Sequence, residues 1–95
     1  MTITDIKIRK LFETPGSRLK ALVSITIDDC FAVHDIKVVA GDNRVFVAMP
    51  SRKDENGIFR DIVHPIGAEA RENIEKQILD AYERYIAAAG TEDIF

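Results

Sequence analysis

Ninety-five residues, 46% of them hydrophobic and 31% charged, make a single domain (residues 1–95) with one modest core, and exclude a disordered chain. The net charge of −3 by itself argues weakly against nucleic acid. Its distribution points the other way: residues 1–65 hold ten Lys/Arg and nine Asp/Glu, residues 66–95 three and seven, and phosphate binding follows local cation density rather than the total.

In chain order, Thr2 to Phe12 alternates, with Thr4, Ile6, Ile8 and Phe12 on one side and Asp5, Lys7 and Arg9 on the other. Period two with β-branched residues predicts a strand with one wet face. Lys10 and Leu11 break the alternation, so a bend is expected there. Glu13-Thr14-Pro15-Gly16-Ser17 is a turn. Strand two places Leu19, Ala21, Val23, Ile25 and Ile27 inward, and Lys20, Ser24 and Thr26 outward. Asp28-Asp29-Cys30 turns the chain into strand three, Phe31 to Val39. There Phe31 and Val33 share a face with Asp35 and Lys37, and Ala32, Ile36 and Val38 share one with His34. Neither face is clean, which predicts burial on both sides or cover by a partner.

After the turn Gly41-Asp42-Asn43-Arg44, residues 45–66 predict a central β-hairpin. A short apolar strand from Val45 leads into a charged loop with Asn56-Gly57, and a second strand follows and stops at Pro65. Arg52 and Lys53 are then expected at the hairpin tip. Beyond Pro65 the period changes: Ala70, Ile74, Ile78, Ala81, Tyr82, Tyr85 and Ile86 recur at three and four, one face of a helix from about Ala68 to Ala89 that Gly90 ends. Glu72–Lys76 and Asp80–Arg84 have the spacing of i,i+4 ion pairs. The expected fold is α+β: a curved antiparallel sheet of about five strands over residues 1–66, packed by one long C-terminal helix over residues 67–90, with a short tail at 91–95.

No apolar run approaches the roughly 18 residues of a membrane span, and with no basic segment followed by an apolar one at Met1 to Asp5, no signal peptide is expected. The one cysteine, Cys30, suits a reducing cytoplasm and is expected to be a small packing residue. His34-Asp35 and Asp61…His64 invite a metal or catalytic reading. Two histidines and one cysteine fall short of a ligand set, and structural roles are expected instead, with His64 fixing the turn before Pro65. Isolated glycines exclude a phosphate cradle, and Ser17, Ser24 and Ser51 lack a nucleophile signature. No enzyme, cofactor, metal or small-molecule substrate is expected. Arg52-Lys53, offset by Asp54 and Glu55, leaves nucleic-acid binding as one hypothesis among several; Arg60 is expected to pair with Asp35 or Asp61 if it is structural.

Val33-His34-Asp35-Ile36, Phe46 to Lys53, Gly57 and Phe59-Arg60-Asp61-Ile62-Val63-His64-Pro65-Ile66 resemble the signature blocks of the stage V sporulation protein G family. Thr4 to Lys10 and Ala21 to Asp28 are similar to it as well, so the likeness covers residues 1 to about 85. It implies a small bacterial regulator of septation, and of sporulation where that occurs, binding DNA and/or RNA as a homodimer. Arg52, Lys53 and Arg60 are the expected contacts. This chain departs from the family at the tip, where Asp54-Glu55-Asn56 replaces the expected Thr-Pro-Asp, and it stops at Phe95 where members often carry a polar, acidic extension. The alternative is a protein-interaction module acting on division proteins through its sheet edge or helix, without nucleic acid.

Overall fold

The computed structural model describes residues 2–12 and 14–94, with side chains as far as Ala88. Glu13 of the expected first turn and Phe95 of the expected tail lie outside them. Strands β1 (Ile3–Leu11), β2 (Leu19–Ile27), β3 (Phe31–Ala40) and β4 (Val45–Ala48) form one antiparallel sheet in the order β1-β2-β3-β4. Strands β5 (Ser51–Lys53) and β6 (Phe59–Asp61) form a separate two-stranded sheet, and α1 (Ala68–Ile94) follows. The class is α+β, with six short-to-medium strands in two sheets.

The core lies between one face of the four-stranded sheet and α1. Ala21, Val23, Ile25, Ile36, Val38 and Val47 from the sheet meet Ile74 and Ile78 from the helix. Each fully buried Val or Ile side chain contributes about 1.5–3 kcal/mol over its exposed state. The expected inward row of β2 is present from Ala21 to Ile27; Leu19, paired with Val39 across a register shift before Ala21, does not join the core. On β1, register shifts between Ile3 and Asp5 and between Ile8 and Lys10 mark bulges. Each extra residue restarts the alternation, so Ile3, Ile6, Ile8 and Leu11 all pack on the core and Thr4 is exposed.

A third bulge accounts for the mixed faces of β3. Val23 pairs with Ile36 and Ile25 with Val33, so Ser24 faces two residues, His34 and Asp35. Asp35 takes a left-handed backbone, φ 61°, which Asp tolerates better than most residues. The bulge lets Val33 and Ile36 both point inward although they are three apart. His34 is exposed and bonded through Nδ1 to the Ser24 hydroxyl, 2.9 Å away, so the bulge accounts for the mixed faces without two-sided burial.

The β2–β3 turn uses two successive left-handed residues, Asp28 (φ 51°) and Asp29 (φ 55°), the backbone of the hairpin turn whose twist matches the strands. Cys30 closes that turn and is exposed rather than packed. Asp28 also accepts a hydrogen bond from the Thr2 backbone N–H at 2.8 Å.

The helix stripe packs as expected through Tyr82, after which Tyr85 and Ile86 emerge into the open. The helical backbone runs through Gly90 to Ile94, because a glycine permits a helix end without imposing one. Neither expected i,i+4 ion pair forms among the described residues. Arg84 Nε instead donates to the Asp80 backbone carbonyl at 3.3 Å, and Glu75 accepts from Arg44 at 2.8 Å, tying α1 to the start of β4. No described helix is long and apolar enough to cross a membrane.

Candidate nucleic-acid interface

Pro50 separates the two sheets. It has no N–H to offer a ladder, so β4 ends before it and the chain starts a new hairpin after it. The base of that hairpin is closed by the Ile62 N–H donating to the Pro50 carbonyl at 2.8 Å. Arg52 and Lys53 therefore stand on a strand, β5, and not at a tip. The tip is Asp54–Ile58, where Gly57 takes φ 80°.

Asp54 organises the tip. Its carboxylate accepts from the backbone N–H groups of Asn56 (2.8 Å) and Ile58 (3.0 Å) and from Arg60 Nε (2.8 Å). The Arg60 guanidinium first, and the Ile58 N–H second, hold the Asp54 carboxyl below its ordinary value of 3.8. A depressed folded-state pKa means that this anchoring is complete above the unfolded value and is lost as pH falls through the folded one. The carboxyl carbon of Asp54, followed by NMR, is expected to titrate with a midpoint below 3.8. A midpoint at or above that value would contradict the geometry.

The register pairs Ser51 with Asp61, Arg52 with Arg60, and Lys53 with Phe59. Arg52 and Arg60 are thus direct cross-strand neighbours, an arrangement that repels unless one charge is answered. Asp54 answers Arg60, so neither Asp35 nor Asp61 is its partner. Arg52 and Lys53 are exposed and have no ion-pair partner among the described residues, while the Lys53 ammonium lies 5.9 Å from the centre of the Phe59 ring. The three expected contact residues come together on one short hairpin, in two states: two unpaired cations and one already neutralised. Asp54 looked like an offset to Arg52-Lys53 in the sequence, yet its charge is directed at Arg60 and the loop amides. His64 Nδ1 lies 3.1 Å from the Pro65 carbonyl, in keeping with a role in the turn.

These features define a small α+β protein with a separate two-stranded hairpin that carries two exposed cations, Arg52 and Lys53. The chain belongs to the SpoVG family, whose model matches residues 1–84. Curated relatives carry the description "Putative septation protein SpoVG". The protein of Desulforudis audaxviator is 56% identical over 88 residues, covering 93% of this chain and 98% of the relative. That of Caldicellulosiruptor bescii is 50% identical over 88 residues with the same coverage. That of Clostridium perfringens (strain ATCC 13124) is 54% identical over 84 residues, 88% of this chain and 91% of the relative.

Proposed function

We propose that this chain acts in septation as a cytoplasmic homodimeric regulator that holds the backbone of DNA or RNA with Arg52 and Lys53, while Arg60 buttresses them. The observation that carries this reading is the pair of exposed cations, without ion-pair partners among the described residues, on a hairpin whose loop is pinned by Asp54. Cations of this kind position a phosphate backbone without reading bases. Titration with duplex DNA and with RNA across a salt series tests it. Arg52→Ala with Lys53→Ala is expected to weaken binding alike on all sequences and to flatten the salt slope by about 0.9 per lost contact on duplex. Parent-like affinity in a folded double variant removes the assignment.

The homodimer rests on the same hairpin. A lone two-stranded sheet is marginal in water, and here Phe59 on β6 is 69% exposed, with Ile62 (68%) and Ile66 (86%) exposed on the segment that follows. A second copy laid against it would cover them. These apolar residues also favour a second reading, in which the hairpin docks on a protein of the division machinery; that reading predicts no salt-dependent binding to either nucleic acid.

A further inference from the structure

We infer that the open face of the four-stranded sheet is a second phosphodiester-binding surface, centred on Lys10, Lys37 and Lys7. It rests on the nucleic-acid reading above and adds to the hairpin a surface on different strands.

The register assembles it. Lys10 pairs with Leu22, Leu22 with Lys37, and Lys37 with Ala48, so these four form one row across β1, β2, β3 and β4. Lys7 stands opposite Ser24 in the next row, beside His34. Side chains on this face alternate with the buried Ile36 and Val38, which α1 covers from the other side. The face itself has no helix on it. Lys7, Lys10 and Lys37 are exposed and lack ion-pair partners among the described residues; the Lys10 ammonium sits 5.0 Å from the Phe12 ring, which leaves its charge unanswered. Arg9, the extra residue of the second β1 bulge, joins Leu22, Ser24, His34 and Asp35 around a shallow hollow on this face.

Charge complementarity identifies the occupant. Four cations, Lys7, Arg9, Lys10 and Lys37, outnumber the carboxylates Asp5 and Asp35 on the exposed positions of these strands. The helix on the far side carries Glu69, Glu72, Glu75, Asp80 and Glu83 against Arg71, Lys76 and Arg84. The molecule is thus polarised through its thickness, and its field directs a polyanion to the sheet side. Lys10 and Lys37 stand two strand spacings apart, about 10 Å, room for one nucleic-acid strand lying along the sheet. The two lysine rows contain no Phe or Tyr on which a base would stack, so the surface grips the backbone irrespective of sequence.

The test measures binding of the full chain to fluorescent oligothymidylate and oligouridylate over a salt series. It compares the parent, Lys10→Gln with Lys37→Gln, and Arg52→Ala with Lys53→Ala. The lysine-pair variant is expected to keep its circular dichroism and bind more weakly, its salt slope flattened by about 1.4 per subunit, two contacts at about 0.7 each on a single strand. Lys37→Gln alone should show half that change, which covers any effect of the double substitution on folding. Parent-like affinity and slope in the lysine-pair variant overturn this surface and leave the hairpin reading in place. Loss there, with parent-like binding by the arginine–lysine variant, keeps the surface and removes the hairpin. Failure of the parent to bind either oligonucleotide overturns both.

Discussion

Ile78→Ala is expected to lower the free energy of unfolding by about 2–5 kcal/mol, the range for removing a fully buried Ile. Ile78 is completely buried on the sheet-facing side of α1, and with the nearly covered Ile74 it supplies the helix's buried contribution to the core. A domain of this length holds only about 5–14 kcal/mol in total, so the variant sits near the edge of folding. Urea denaturation at one fixed protein concentration measures it: the midpoint falls while the slope stays the same. Tyr85→Ala, at a position already 47% exposed, is the control and should cost far less. An Ile78→Ala loss no larger than the Tyr85→Ala loss would mean that α1 does not pack by this face.

Phe59→Asp with Ile62→Asp is expected to convert the proposed homodimer to a monomer. A dimer that covers the hairpin buries these two side chains, and anchors of this kind cost at least about 2 kcal/mol each when lost. That figure corresponds to a dissociation constant about thirtyfold higher for each. Sedimentation equilibrium should return two chain masses for the parent and one for the variant. Helical circular dichroism should be unchanged, because neither residue belongs to the core cluster. A parent that sediments as a single chain at micromolar concentration removes the homodimer. A variant that remains dimeric places the interface elsewhere.

The regular parts of the chain were legible in its residues. The inward row of β2 from Ala21 to Ile27 and the stripe of α1 as far as Tyr82 follow simple periods, and both pack on the core, whereas Leu19 falls beyond a register shift. The irregularity beside Lys10-Leu11 was legible as a bend, but the other bulges escaped, because one inserted residue flips every side chain after it. At His34-Asp35 this turned a clean inward row into an apparently mixed strand. A signal was present in Asp35, a residue type that accepts the left-handed backbone. The hairpin was legible as a hairpin, but its boundaries were not: Ser51, Arg52 and Lys53 have weak strand preference and read as loop. Pro50 was the missed cue, since it cannot continue the ladder of β4. Of the candidate site, residue identity was readable and pairing was not. Asp54 is near Arg60 only because its own bonds to the loop amides set the register.

The break at Pro50 divides the molecule into parts that answer to different constraints. Among the described residues, none of the eight buried core side chains comes from residues 50–66, and the hairpin's hydrogen-bonded ladder is closed on itself. Relatives can therefore exchange tip residues, or reverse a charge on β5, without a compensating change in the packing beneath α1. The same separation makes the hairpin a natural graft: residues 50–62 can be swapped between family members as a block to ask which affinity travels with them.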